Sequence, residues 1–370
     1  MFISKKREFM AFVLCPLVLL ISAKYCQAQS HPILRVDMRD GKSFLGMPIQ
    51  WGAHEAILIQ DTGAFQFLPV DQVSFHQVLE KNFAPQSLVA TRANLQMELG
   101  NQFEAFISGP YVIASPRGSS GKWRTRFNAL ISGYYRYFKV RGWRLREVDF
   151  PLVVIVFPDR ASFTAYSKTQ QPSGLPQQAV GSYFPMTNRC ILYHIPGRSS
   201  IDWSETESTI VHEAVHQLAY NTAIHERLFK NPFWFVEGLA TMFEVRNVYE
   251  LGLERSQLKD RVNRQQLETF RPLLKDVNSL ERFISDLIRS DAPFKTNPKL
   301  AYAGSWALTF YLAERMPERY QTLMQLQSRR GLGDYSAAER QNDFARATGM
   351  STSLLANQLV RFFQAIDAAL

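Results

Sequence analysis

The sequence predicts an α+β protein, and three stretches carry that prediction. Residues 33–75 break into short apolar runs, ILRVDM, FLGMPIQW, EAILIQ and FQFLPV, separated by Asp40-Gly41 and Asp61-Thr62-Gly63. Such punctuation between alternating residues signals hairpins. At 150–157, FPLVVIVF is apolar without interruption, which suits a central strand buried on both faces. From residue 204 to the end, apolar residues recur at helical spacing. A chain of 370 residues with 46% hydrophobic and 13% aromatic content can fill a sizeable core, which excludes a generally disordered protein.

In chain order, residues 1–28 read as an export leader. Lys5, Lys6 and Arg7 precede an apolar run at 9–22, and Cys26-Gln27-Ala28 ends in a small residue compatible with cleavage after Ala28. The apolar run is short for a membrane span, and neither Cys15 nor Cys26 follows a lipobox, so the mature chain is expected in the periplasm or outside the cell, without a transmembrane span; the alternative reading of the same run is an uncleaved N-terminal anchor. Cleavage would leave Cys190 alone and exclude an intrachain disulfide. Lys5, Lys6, Arg7 and Lys24 against Glu8 give the leader +3 of the formal +9, leaving +6. That surplus is compatible with association with an anionic envelope surface, and no nucleic-acid motif accompanies it.

Residues 31–80 are expected to form a small β-barrel or sandwich of SH3-like kind, either a binder of wall material or an accessory to the remainder of the chain. Residues 77–95 read as a connection, and 96–115 as two strands around Gly109-Pro110. At 122–141, Trp123, Phe127, Leu130, Ile131, Tyr134 and Phe138 lie at helical spacing and form a core face. A short helix at 160–168 and a Pro/Gln/Gly loop at 169–178 lead to a hairpin flanking Pro185-Met186-Thr187-Asn188. Beyond Glu244 the spacing predicts helices at 250–274, 279–289, 299–315, 317–329, 336–347 and 351–369. The unit boundaries expected are 31–80, 90–249 and 250–370.

The chemistry concentrates at 204–220, SETESTIVHEAVHQLAY. Ser204 and Glu207 form a capping box, and Val211, Ala214, Val215 and Leu218 make an apolar stripe. His212 and His216 are four apart, so both imidazoles lie on one helix face and can reach one cation. Zinc suits neutral histidine nitrogens, and a catalytic zinc takes three protein ligands with water in the fourth position. Glu213, turned about 100° from His212, can approach that water as a base. Asn231-Pro232 then reads as N-cap and first residue of a second helix, FWFVEGLATMF, apolar nearly all round. The single carboxylate in it, Glu237, needs a partner or a metal, and Gly238 suits a close helix approach. Glu237 is thus the expected third ligand. His54, His76, His194 and His225 fall outside this pattern, and Cys190 is expected to be buried.

His212-Glu213-x-x-His216 followed by Glu237 resembles the gluzincin zinc metallopeptidases, and Trp234-Phe235-Val236-Glu237-Gly238-Leu239-Ala240 resembles the W-x-x-E-G-x-A signature of their peptidase-MA-like branch. The resemblance implies a zincin-like catalytic domain, a mixed sheet plus the H-E-x-x-H helix, with a helical C-terminal part. It implies Zn2+ held by His212, His216 and Glu237, with Glu213 as general base. An edge strand before the active helix would pair with an extended peptide or protein substrate. Tyr302 follows Glu237 at an interval resembling that of the family's oxyanion-stabilising residue. The acidic residue by which gluzincin aminopeptidases hold a free amine is missing from residues 181–188, so aminopeptidase specificity is not implied. Two other readings remain open: a gluzincin-like envelope-binding protein without activity, and a zinc hydrolase of a non-peptide envelope bond.

Overall fold

The computed structural model describes residues 31–171, 173, 175, 179–194, 204–250, 257–330 and 333–370. The leader expected at 1–28 and part of the loop expected at 169–178 lie outside these. The chain divides into two compact units, one holding the N-terminal sheet and the other Ala84–Leu370 with the Asp61–Ala64 turn.

The first unit is one antiparallel sheet of β1 (Pro32–Met38), β2 (Ser43–Trp51), β3 (Glu55–Ile59), β4 (Phe65–Pro69) and β5 (Val73–Asn82), in the order β4-β3-β2-β1-β5. Period-2 alternation turns Leu34, Val36 and Met38 to one face, where they pack with Ala56, Leu58 and Leu68. No barrel is closed, contrary to the expectation. The last strand returns to pair with β1, and the five-residue β4 stays at the opposite edge. β5 also occupies the start of the expected connection at 77–95. As an edge strand it is mostly exposed, so pairing rather than alternating burial defines it.

The second unit opens with α1 (Leu88–Leu99), which fills the rest of that expected connection. Ser87 caps it by accepting from Ala90 N, and Gly100, at φ 74°, ends it. A five-stranded mixed sheet comes next, in the order β6-β7-β8-β10-β9: β6 (Phe103–Ser108), β7 (Tyr111–Pro116), β8 (Leu152–Phe157), β9 (Gly181–Phe184) and β10 (Arg189–Tyr193). β8 runs parallel to β7 and β10 and is buried along its whole length. β9 pairs antiparallel with β10 at the sheet's edge. Val154 and Val156 point to a core shared with α2 (Ser120–Lys139), while Val153, Ile155 and Phe157 point to a core containing Leu95 of α1 and Phe163 of α3 (Arg160–Gln170). The aromatic stripe of α2 is buried: Trp123, Phe127, Tyr134 and Phe138 are each at most 1% exposed.

Helices then dominate: α4 (Ser204–Asn221), α5 (Phe233–Phe243), α6 (Arg246–Tyr249), α7 (Arg264–Phe270), α8 (Val277–Arg289), α9 (Ala292–Thr296), α10 (Pro298–Arg315), α11 (Pro317–Ser328), α12 (Ala337–Thr348) and α13 (Thr352–Asp367). Of the helix expected at 250–274, residues 251–256 lie outside the described residues, and the rest is a series of pieces. A 3-10 turn at Leu258–Arg261 precedes α7, Asn263 starts α7 with its side chain, and Pro272 lies in a second 3-10 turn at Arg271–Lys275. One hydrophobic core runs continuously from α2 to α13. No helix among the described residues is long and apolar enough to cross a membrane.

Candidate metal centre

Helix α4 lies against the sheet through its apolar stripe, with Ala214, Val215 and Leu218 fully buried and Val211 nearly so. The buried Tyr111 hydroxyl on β7 donates to the Ala214 carbonyl at 3.0 Å, fixing the helix on the strand it crosses. His212 and His216 therefore turn toward α5, while Glu213 faces the edge strand β9. The Ser204–Glu207 capping box falls on side chains outside those described.

Helix α5 brings the third candidate ligand, Glu237. Its residues are buried from Trp234 onward apart from Glu237. A Cβ built on Gly238 would collide with the Thr309 hydroxyl and the Ser305 carbonyl, so only glycine allows α5 and α10 to lie this close. The N-terminal cap differs from the sequence expectation. Asn231 spends its amide on the preceding turn, donating to Glu226 O at 2.8 Å, and the first helical N–H, that of Phe233, donates instead to Asp291 at 3.1 Å. The buried Arg340 guanidinium holds that carboxylate at 2.8 Å.

The two helices bring His212, His216 and Glu237 together, with one ligand atom from each within 4.8 Å of the others. Glu237 Oε2 lies 3.2 Å from His212 Nε2 and 3.6 Å from His216 Nε2, and the imidazoles stand edge to face with centroids 4.6 Å apart. Tetrahedral bonds of about 2.0–2.1 Å would set ligand atoms roughly 3.3 Å apart, so the spacing fits a single small cation. Two imidazole nitrogens and one carboxylate oxygen are also a donor set that zinc accepts.

The charges are balanced to match. Burial works against a charged Glu237, but His216 and His212 outweigh it and hold the carboxyl well below the usual carboxylate range. Burial likewise disfavours a protonated His212, yet Glu237 and Glu244 raise its pKa well above the ordinary imidazole value.

Glu244, which sequence reasoning missed, accepts from His212 Nδ1 at 2.9 Å and thereby turns Nε2 toward the other ligands. Its seven-residue offset from Glu237, two helical turns, was the available signal. Its second oxygen accepts from Asn263 Nδ2 at 3.1 Å.

Glu213 stands beside the triad with one carboxylate oxygen held by the backbone N–H of Tyr183 at 2.8 Å. That N–H belongs to β9, the edge strand. The approach is close: a Cβ on Gly181 would sit 2.9 Å from Glu213 Cγ. Behind it, Asn188, at φ 57° in the β9–β10 turn, exchanges amide hydrogen bonds with Asn221 at 3.1 and 2.8 Å and accepts from the Tyr183 hydroxyl at 2.9 Å. Gln217 donates to Asn188 O at 2.7 Å, so the hairpin is locked onto α4 through buried polar groups.

Tyr302 on α10 lies close enough to Glu237 to feel its charge. The Glu237 charge, reinforced by burial and by Glu213 and Glu244, pushes its pKa up, so the phenol stays protonated. His225 is fully buried against Tyr220 and Phe235, and burial together with nearby His216 pushes its pKa down to about 3. His76 packs on Trp51 in the first unit. Neither His194 nor His225 joins the triad. Cys190 is buried on β10, and burial, with the Glu213 charge, pushes its thiol up, which leaves it no nucleophilic part.

Residues 206–332 match a family model described as "Protein of unknown function (DUF1570)". The match contains His212, Glu213, His216, Glu237, Glu244, Asn263 and Tyr302, and its description assigns no activity. No curated protein matches the chain.

Proposed function

We propose that the chain is a zinc-dependent metallopeptidase of gluzincin type that hydrolyses peptide bonds. The observation that carries this reading is the convergence of His212, His216 and Glu237 on one small-cation site with Glu213 beside it, tied to an edge strand. When bound, zinc supplies Lewis acidity, polarising a carbonyl and making a water easier to deprotonate. His212, His216 and Glu237 would hold it. Glu213 takes the proton of the attacking water and passes it to the leaving nitrogen. Its tether to Tyr183 N keeps one oxygen fixed and leaves the other to take the proton. Tyr302, a protonated donor over Glu237, stabilises the negative charge that develops on the carbonyl oxygen. The outer edge of β9 aligns an extended peptide by strand addition. The leader at 1–28 would deliver the enzyme to the periplasm or beyond, where its surplus of positive charge favours an anionic envelope.

Elemental analysis of the purified protein should find one zinc per chain, and a peptide-library digest read by mass spectrometry should show cleavage. Glu213→Gln should keep the zinc and lose at least about 10²-fold in turnover, the scale of general-base catalysis. A protein that takes up no zinc, or hydrolysis that survives in Glu213→Gln, would defeat the proposal.

A further inference from the structure

We propose that Asn263, on a helix that supplies neither a metal ligand nor the base, is a positioning residue that sets the orientation of His212 through Glu244. The proposal rests on the reading of the triad as a zinc site and goes beyond it by extending the machinery to α7.

Asn263 is 8% exposed, and its whole amide is committed. Oδ1 accepts from Gln266 N at 3.3 Å and so caps α7. Nδ2 donates to Glu244 Oε2 at 3.1 Å and to Thr241 O at 3.3 Å. Glu244 Oε1 in turn faces His212 Nδ1 at 2.9 Å. A glutamate side chain has three rotatable bonds, and one at the end of α5 can swing away from an imidazole. A donor on its far oxygen removes that freedom. The hydrogen bond from His212 then fixes which ring nitrogen carries the proton, and Nε2 is left to bind metal. Thr241 O, inside α5, gives the same amide a second anchor, so Asn263 fastens both the side chain and the backbone of the ligand-bearing helix. No aliphatic or hydroxyl side chain does both tasks at once, because only an amide offers an acceptor for the cap together with two hydrogens.

This separates positioning from capping. Serine is as good an N-cap as asparagine, so Asn263→Ser keeps the start of α7 and removes the reach to Glu244. Zinc affinity is measured by competition with a chromophoric chelator on the full mature chain, as wild type, Asn263→Ser, Glu244→Gln and the double variant, with the metal-free melting temperature recorded for each. Asn263→Ser should weaken zinc binding about tenfold, the lower range for outer-shell partners, at an unchanged metal-free melting temperature. Glu244→Gln should weaken it at least as much, and the double variant should be no weaker than Glu244→Gln alone, since Asn263 acts through Glu244. A general structural role would instead lower the melting temperature and add to the Glu244→Gln effect. Should Asn263→Ser fold poorly, Asn263→Gly, also an acceptable cap, supplies the same readout. Wild-type zinc binding with no change in Asn263→Ser, or full additivity in the double variant, overturns this inference and leaves the zinc site standing. Absence of zinc binding by wild type overturns the site itself and the inference with it.

Discussion

At His212 the proposed cation and a proton would compete for the same place. The ring lies between two carboxylates, Glu237 at 3.2 Å on Nε2 and Glu244 at 2.9 Å on Nδ1, and in the metal-free protein they keep it protonated above its ordinary pKa. A histidine whose folded pKa is raised contributes stability that is complete below its unfolded pKa of about 6.5 and is lost as pH rises through the folded value. The metal-free protein should therefore lose stability as pH rises above neutrality. Apparent zinc affinity should rise with pH over the same interval, because each zinc bound there displaces a proton from Nε2. Chelator competition across pH checks this, and an affinity independent of pH between about 6.5 and 8 would contradict it. The residues of the cluster were legible because a helix converts spacing into position. His212, Glu213 and His216 must share a neighbourhood, and Glu237 announced itself as a carboxylate in an apolar run. Glu244 stood two helical turns after Glu237, a signal that was passed over, whereas Asn263 escaped notice because a group on another helix that holds a ligand from behind has no fixed offset in sequence. Asn231 was misassigned for a related reason: an asparagine before proline suits a cap, but its amide closes the preceding turn instead, and Asp291, far away in sequence, does the capping.

At the scale of elements, the distance between α5 and α10 decides where Glu237 and Tyr302 stand, and Gly238 sets that distance. Gly238→Ala would place a methyl against the Thr309 hydroxyl and the Ser305 backbone, and backbone cannot step aside. Overpacking of this kind costs roughly 1–3 kcal/mol. At about 2–4 °C per kcal/mol for a large unit, the melting temperature should fall by roughly 2–12 °C. Zinc affinity should weaken as well, since Glu237 precedes the displaced residue. A variant with wild-type melting temperature and zinc binding would show that the helices are not in fact in contact there. The elements that read well from sequence are those whose pattern and environment agree: β8, apolar throughout and central, and α2, with its aromatic stripe facing the core. α1 read poorly because Leu95 is its one buried residue, so no stripe marks it. β5 read poorly because an edge strand needs no alternation. The span 250–274 carried helical spacing, but the start of α7 at Asn263 and the fixed φ of Pro272 divide what periodicity alone joins.

For the whole molecule, all three candidate ligands, the proposed base and the residues that hold them belong to the unit built on the mixed sheet, and none to the N-terminal sheet. A ligand that binds only the folded state stabilises by RT ln(1 + [L]/Kd), about 4 kcal/mol at a thousandfold excess over Kd. That stabilisation belongs to whichever cooperative unit contains the site. The core around α4 and α5 is continuous from α2 to α13, so zinc should stabilise that unit as a body and not a single helix pair. Removing the cation with a chelator should therefore lower the melting temperature of the larger unit by roughly 8–16 °C, from the same 4 kcal/mol and about 2–4 °C per kcal/mol. Hydrogen exchange monitored by mass spectrometry distinguishes the units segment by segment. Protection should fall in α4, α5 and α10 on adding chelator, while the pairing of β1 with β2 and β5, which owes nothing to the cation, should keep its rates. Equal loss of protection in the N-terminal sheet would mean that the metal stabilises the chain as one cooperative body, and no loss anywhere would mean that the triad does not bind metal tightly enough to contribute to the fold.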